Sequence, residues 1–204
     1  MATQRVAGFS LIELMVTMAV MALLMMAVSP SVTEWVINLR IRNETEALQA
    51  GLQTARNEAV RRNQRMGFWM IGSPNPAVLG SDCTVSDTGG SWVVSVTTPA
   101  GSCGSAPSTT VAPKLVSSHA LGDGASSAVV VNGYTDTTKA TAASSVTFDG
   151  FGRVVSGGSP IGAIYVKSAS NSGAYRSLQI IVSPAGAVRM CDPAVTAAND
   201  PRLC

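Results

Sequence analysis

The residues with chemical potential are few. Four cysteines stand in two separated pairs, Cys83 with Cys103 and Cys191 with Cys204. Neither spacing is that of a CxxC zinc or redox motif, so disulfides in an oxidising compartment are the better reading. Four cysteines allow three pairings, and the sequence alone does not choose among them. Local pairing would close two modest loops, each worth roughly 3 kcal/mol in the chain-entropy picture. The one histidine, His119, lies in a Ser-rich stretch. A single histidine builds no zinc site without other ligands. Ser117 and Ser118 beside it make no triad, because adjacency in sequence is not the required geometry. His119 therefore reads as a surface loop residue. No GxxxxGK(S/T) or HExxH motif occurs, and Gly122-Asp123-Gly124 and Gly150-Phe151-Gly152 read as turns. The expectation is no catalytic residue, no metal and no cofactor: a subunit that is not an enzyme. One acid is out of place. Glu13 sits inside an apolar run from Phe9 to Val28, where a centrally placed carboxylate would cost about 2.5–3.5 kcal/mol on membrane insertion. Nearer the end of the run the cost is smaller, but a partner is still implied.

The element that carries Glu13 is the most legible part of the chain. Residues 1–8, MATQRVAG, hold Arg5 and no acid. Residues 9–29 then span roughly 31 Å if helical, one hydrocarbon core. The positive flank predicts a cytoplasmic N-terminus. The competing reading is a removable secretory signal, since Ala27-Val28-Ser29 faintly resembles a small-x-small cleavage site. Against it, Pro30 would become the first mature residue and the run is too long for an ordinary signal core.

Gly8-Phe9-Ser10-Leu11-Ile12-Glu13-Leu14 resembles the cleavage and methylation signature of type IV prepilins and type II secretion pseudopilins: a Gly, then Phe, with Glu fifth after the cut. The resemblance implies cleavage after Gly8 by a prepilin peptidase and N-methylation at Phe9. It also gives Glu13 a role, pairing with the terminal amine of a neighbouring subunit in a filament, which offsets desolvation on both sides. Pro30 falls where pilins commonly carry a helix-kinking proline.

From about Ser31 to Arg65 the pattern remains helical. Ile41, Thr45, Leu48, Leu52, Ala55 and Ala59 recur at alternating spacings of four and three, a narrow apolar stripe suited to lie on a sheet. Arg42, Glu46, Gln49, Gln53, Arg56 and Asn63 fill the other faces, and Gly51 is a mild weakness. Residues 53–63, QTARNEAVRRN, resemble the same region of the FimT/GspH subfamily of minor pilins and pseudopilins. Arg61 and Arg62 read as a solvated face, or as phosphate or subunit contacts.

Residues 66–204 alternate short strand candidates with turn signals. Strands are expected at 67–72, 91–98, 111–116, 128–132, 144–148, 161–166, 176–183 and 186–190. Loops are expected at 73–90, 99–109 and 133–143, and tight turns at Asp149-Gly150 and Ala185-Gly186. The fold class is α+β: a long N-terminal helix, transmembrane then amphipathic, packed on an antiparallel β-sandwich or curled-sheet head, as in pilins. The expected organisation is a leader at 1–8, a transmembrane helix at 9–29, its amphipathic continuation at 30–65 and a β-rich head at 66–204 with a C-terminal tail tied by disulfide.

Residues 183–191, SPAGAVRMC, resemble the C-terminal hairpin and tail of FimT-like proteins, some of which bind DNA through a Gly-Arg-x-Arg motif there. Here Ala187 replaces the first Arg and Arg189 remains. Lys167, Arg176, Arg153 and Arg202 would compensate if the fold gathers them. The net charge of +2 and the 13% of charged residues give no global field for nucleic acid. The resemblance implies a minor type IV pilin that helps assemble the pilus or its tip and contacts double-stranded DNA for uptake. Its partners would be other major and minor pilins or pseudopilins, prepilin peptidase and the inner membrane. The head would be periplasmic, and the filament an extracellular pilus or a periplasmic pseudopilus. The alternatives are a GspH-like minor pseudopilin of a type II secretion system, and a membrane-tethered adhesin or enzyme with an unrelated head.

Overall fold

In a computed structural model of the 204-residue chain, the described residues are 9–122, 128–170 and 175–204. The side chains of residues 27–31 lie outside the description. The chain divides into two units, Met1–Val36 and Ile37–Cys204. One helix, α1 (Leu11–Arg62), belongs to both.

In the first unit the apolar side chains of α1 are exposed. Leu11, Met18, Leu23 and Met26 show between 65% and 77% of their surface. Among the described residues no helix is long and apolar enough to cross a membrane. The sequence run continues through Val28, into positions whose side chains are not described.

In the second unit the apolar stripe is buried as its spacing predicts: Ile41, Thr45, Leu48, Leu52, Ala55 and Ala59 are all fully inaccessible. Thr45 removes the cost of a buried hydroxyl by donating to the Ile41 carbonyl at 2.6 Å. Gly51 permits a close approach, since a Cβ there would lie 2.7 Å from the Trp92 ring and 2.8 Å from that of Phe68. The helix stops at Arg62 rather than Arg65. Asn63 takes φ 48°, Gln64 N–H donates to the Ala59 carbonyl and Asn63 N–H to that of Val60. That is a Schellman-type ending, in which the short polar side chain tolerates the left-handed conformation.

Among the described residues nine strands follow: β1 (Met66–Gly72), β2 (Thr84–Val85), β3 (Ser91–Ser95), β4 (Leu115–His119), β5 (Val129–Tyr134), β6 (Ser145–Phe148), β7 (Ala163–Ser168), β8 (Leu178–Val182) and β9 (Val188–Cys191). They form two antiparallel sheets. In the first, the order is β2-β1-β3-β4 with β6 also on β1; in the second it is β5-β7-β8-β9. Both inner faces meet α1 in one core that includes Phe68, Met70, Trp92 and Phe148 from the first sheet and Val131, Ile164, Val166 and Ile180 from the second. A satellite core of Ile71, Val93, Leu115 and the Cys83–Cys103 disulfide covers the other face of the first sheet. Strand β3 is consequently buried at every position, which is why its alternation is so weak in the sequence.

Three local expectations need correction. β4 begins four residues later than position 111, because Lys114 N–H closes a turn on the Val111 carbonyl and Lys114 takes φ 56°. The stretch 73–90 is not wholly loop, since Thr84 and Val85 pair with Gly72 and Ile71. His119 is not in a loop: it ends β4 opposite Trp92, and the two rings stack at 5.6 Å. The two tight turns are where they were expected. Gly186, at φ 82°, turns β8 into β9, and Asp149–Arg153 reverse the chain between Phe148 and Val154.

Candidate functional sites at the helix start and the tail

The start of α1 is built by local hydrogen bonding. Ser10 stays outside the helix, its Oγ accepts the Glu13 N–H at 3.2 Å, and its carbonyl accepts the Leu14 N–H at 3.2 Å. Ser10 is therefore the N-cap and Glu13 the third helical residue. Ser-x-x-Glu is the sequence signature of such a start. In the sequence this signal lies inside the Gly8–Leu14 processing motif. The cap holds Phe9, 83% exposed, outside the helix; Gly8 lies outside the described residues. Glu13 sits in the first turn, where the helix dipole favours a carboxylate, and makes no ion pair among the described residues.

The tail is tied by four devices. Cys191 and Cys204 form a disulfide. Arg189 on β9 donates to the carbonyls of Leu203 and Cys204 at 2.8 and 2.9 Å. Arg202 grips Asp200 with both ends of its guanidinium, at 3.0 and 2.7 Å, and those hydrogen bonds hold the Asp200 carboxyl down at about 2. The Asp192 N–H also donates to the Arg202 carbonyl at 2.8 Å. Arg189 and Arg202 are thus spent largely on ordering the tail.

The other basic candidates are elsewhere. Across the second sheet Arg189 faces Ile181, which faces Ala163, so Lys167 lies four residues further along β7 and two strands over. That is roughly 16 Å away at strand spacings. The backbone N–H of Arg176 donates to Asn38 on α1, whereas Val188, next to Arg189, lines a small cavity with Gln53, Arg56 and Asn57. Asn38 and Arg56 are about 27 Å apart along a helix. The fold does not gather the four cations into one patch.

One buried group went unnoticed in the sequence. Glu44 is 5% exposed, its Oε1 has no hydrogen-bond partner, and burial pushes its carboxyl up to about 7. A Cβ at Gly90 would strike that oxygen, so Gly90 makes the room for it. Glu44 adjoins the stripe residue Thr45 in the sequence, but a helical period does not show which neighbour covers it. Burial also lowers the His119 pKa. No group of three or more metal-ligating side chains occurs among the described residues.

A long helix whose apolar first half is exposed, ending in two sheets, with a Phe and a Glu at its capped start, defines a filament subunit of pilin type. Residues 3–29 match the prokaryotic N-terminal methylation motif. Residues 44–186 match the family described as type II transport protein GspH, and the chain belongs to that family. No curated protein matches. Two crystal structures of the type IV minor pilin FimU of Pseudomonas aeruginosa (strain PAO1) are similar. The first covers 78% of this chain and 92% of its own at 14% identity and a TM-score of 0.45. The second covers 77% and 97% at 14% identity and a TM-score of 0.42.

Proposed function

We propose that this protein is a minor type IV pilin, made as a prepilin and assembled with other pilins into or near the tip of a pilus. Prepilin peptidase cuts after Gly8 on the cytoplasmic side and the new terminus, Phe9, is N-methylated. Residues 9–29 span the inner membrane and the head stands in the periplasm until the subunit enters the filament. The observation that carries this reading is the start of α1. A helix whose apolar side chains are exposed begins on a Ser10 cap, with Phe9 outside it and, among the described residues, no ion-pair partner for the Glu13 carboxylate. A membrane, and then the apolar helices of neighbouring subunits, supply the missing cover. The terminal amine of a neighbour supplies the missing charge.

The same subunit contacts double-stranded DNA during uptake. A second reading, a minor pseudopilin of a type II secretion system, is favoured by the family match over 44–186. Deleting the gene separates the two. Loss of surface filaments and of transformation, with secretion intact, supports the pilin; loss of exoprotein secretion with filaments intact supports the pseudopilin. The assembly claim itself is tested by probing sheared filament fractions for the chain with Glu13 intact and with Glu13→Val. The wild type is expected in the filament and the variant is not; equal amounts of both would contradict the pairing role.

A further inference from the structure

The cations of the head are not spread evenly. The loop Asp149–Arg153 packs on the end of α1: the Arg56 Nε donates to the Gly152 carbonyl at 3.1 Å, and a Cβ on Gly150 would strike Asn63. β1 pairs with β6 so that Met66 faces Phe148, which puts Arg65 and Asp149, the next residue of each chain segment, at the same end of that pair. Among the described residues, one end of the head therefore collects Arg56, Arg61, Arg62, Arg65 and Arg153 against Glu58 and Asp149. Its net charge of +3 exceeds the +2 of the whole chain. The tail, by contrast, balances Arg189 and Arg202 with Asp192 and Asp200. Every cation at the helix end is an arginine, the side chain best shaped for phosphate.

Two further features make this end a site rather than a charge excess. Arg65 is exposed and makes no ion pair among the described residues. It lines a cavity of about 240 Å³ with the hydroxyl residues Ser145, Thr147 and Ser159. Gly157 and Gly158, at φ 113° and 68°, also border it and leave the space beside them open. On the loop Asp149–Arg153, Phe151 is 78% exposed, with the Arg153 guanidinium 5.1 Å above its ring. The Asp149 partner of Arg153 is a surface ion pair, with 62% of the Arg153 side chain accessible, and such pairs are weak enough to exchange for a phosphate.

We infer that this end of the head, with Arg65 at its cavity and Arg61 and Arg153 on its rim, is the surface that binds the phosphate backbone of double-stranded DNA. The inference rests on the DNA contact in the function proposed above, and moves that contact from the tail to the helix end. Arg65 and the hydroxyls take one phosphate, and Arg61 and Arg153 take its neighbours along the strand. No base edge is read, so binding is independent of sequence.

The test uses the full-length mature chain in detergent and a short fluorescein-labelled duplex, with anisotropy read over a range of salt. The wild type is expected to bind, more weakly as salt rises. Arg65→Gln with Arg153→Gln should lower the salt slope by about 0.9 per lost contact and weaken binding about tenfold for each near 0.1 M salt. Arg65→Lys should restore most of it. Arg189→Gln and Arg202→Gln should leave the slope unchanged. An unchanged thermal unfolding curve for each variant excludes loss of the fold as the cause. If the double variant binds like the wild type, or binding is lost instead in the Arg189 or Lys167→Gln variants, the DNA reading stands and this site is overturned. If the wild type binds no duplex at low salt, the DNA reading and the site fall together. If the double variant binds normally but fails to enter filaments, the end docks a neighbouring subunit and the assignment is overturned.

Discussion

The two halves of α1 are one helix with opposite fates. In the first half, the apolar residues at positions 11–26 are roughly half to three-quarters exposed. In the second, a narrower stripe that includes two alanines and a threonine is wholly buried. The second half has its partner in its own chain, two sheets that close over one face. Apart from Glu13 and Thr17 the first half is apolar, and an apolar side chain left in water forgoes about 1.5–3 kcal/mol. Hydrophobicity alone therefore does not decide burial within a chain. A one-faced stripe is covered by its own domain, whereas a helix apolar around most of its circumference finds no such cover.

The contrast is sharpest where a substitution should act in one half and not in the other. Leu48→Ala empties a fully buried position and should cost about 3–4 kcal/mol in thermal or denaturant unfolding of the head. Met21→Ala should leave that unfolding unchanged; a comparable loss would break the comparison.

Glu44→Gln comes next. The folded chain holds the Glu44 proton up to about pH 7, while the unfolded chain releases it near 4.5. Native stability from this group is therefore complete below about pH 4.5 and is lost as pH rises through 7. The wild type should lose roughly 3 kcal/mol between those limits that the Gln variant keeps. Parallel stability–pH curves for the two proteins would refute the burial of a protonated carboxyl.

Gly51→Ala sets a helix-propensity gain of about 1 kcal/mol against overpacking on two ring systems. The rings lie closer than a Cβ tolerates, so a net loss of about 1–2 kcal/mol is expected, measurable as a lower urea midpoint. The smallest effect belongs to the helix end. Asn63→Ala at φ 48° should cost about 1 kcal/mol, and Asn63→Gly should cost less than that.

What could be read from the sequence follows this division. The buried stripe was legible residue by residue, because a single helical period reports one face. So was the start of α1, because its motif is local. The pairing of Cys83 with Cys103 and of Cys191 with Cys204 was one of three arrangements that the count allowed. Strands such as Trp92–Ser95, covered on both faces, lost the alternation that marks an edge or surface strand. The two-residue β2 is held by its partner rather than by its own sequence. Sites made by tertiary contact were not legible. Nothing in the segment 183–191 shows that Arg189 will be taken up by Leu203 and Cys204, and nothing around Arg65 shows that the loop Asp149–Arg153 will come to the same end of the head.

The most direct measurement is the intact mass and N-terminal sequence of the chain after co-expression with a prepilin peptidase. Loss of residues 1–8, and a Phe9 terminus heavier by one methyl group, is the predicted result. An intact leader in the presence of active peptidase, or a new terminus at Pro30, would contradict assignment of the exposed first half of α1 to a processed filament subunit.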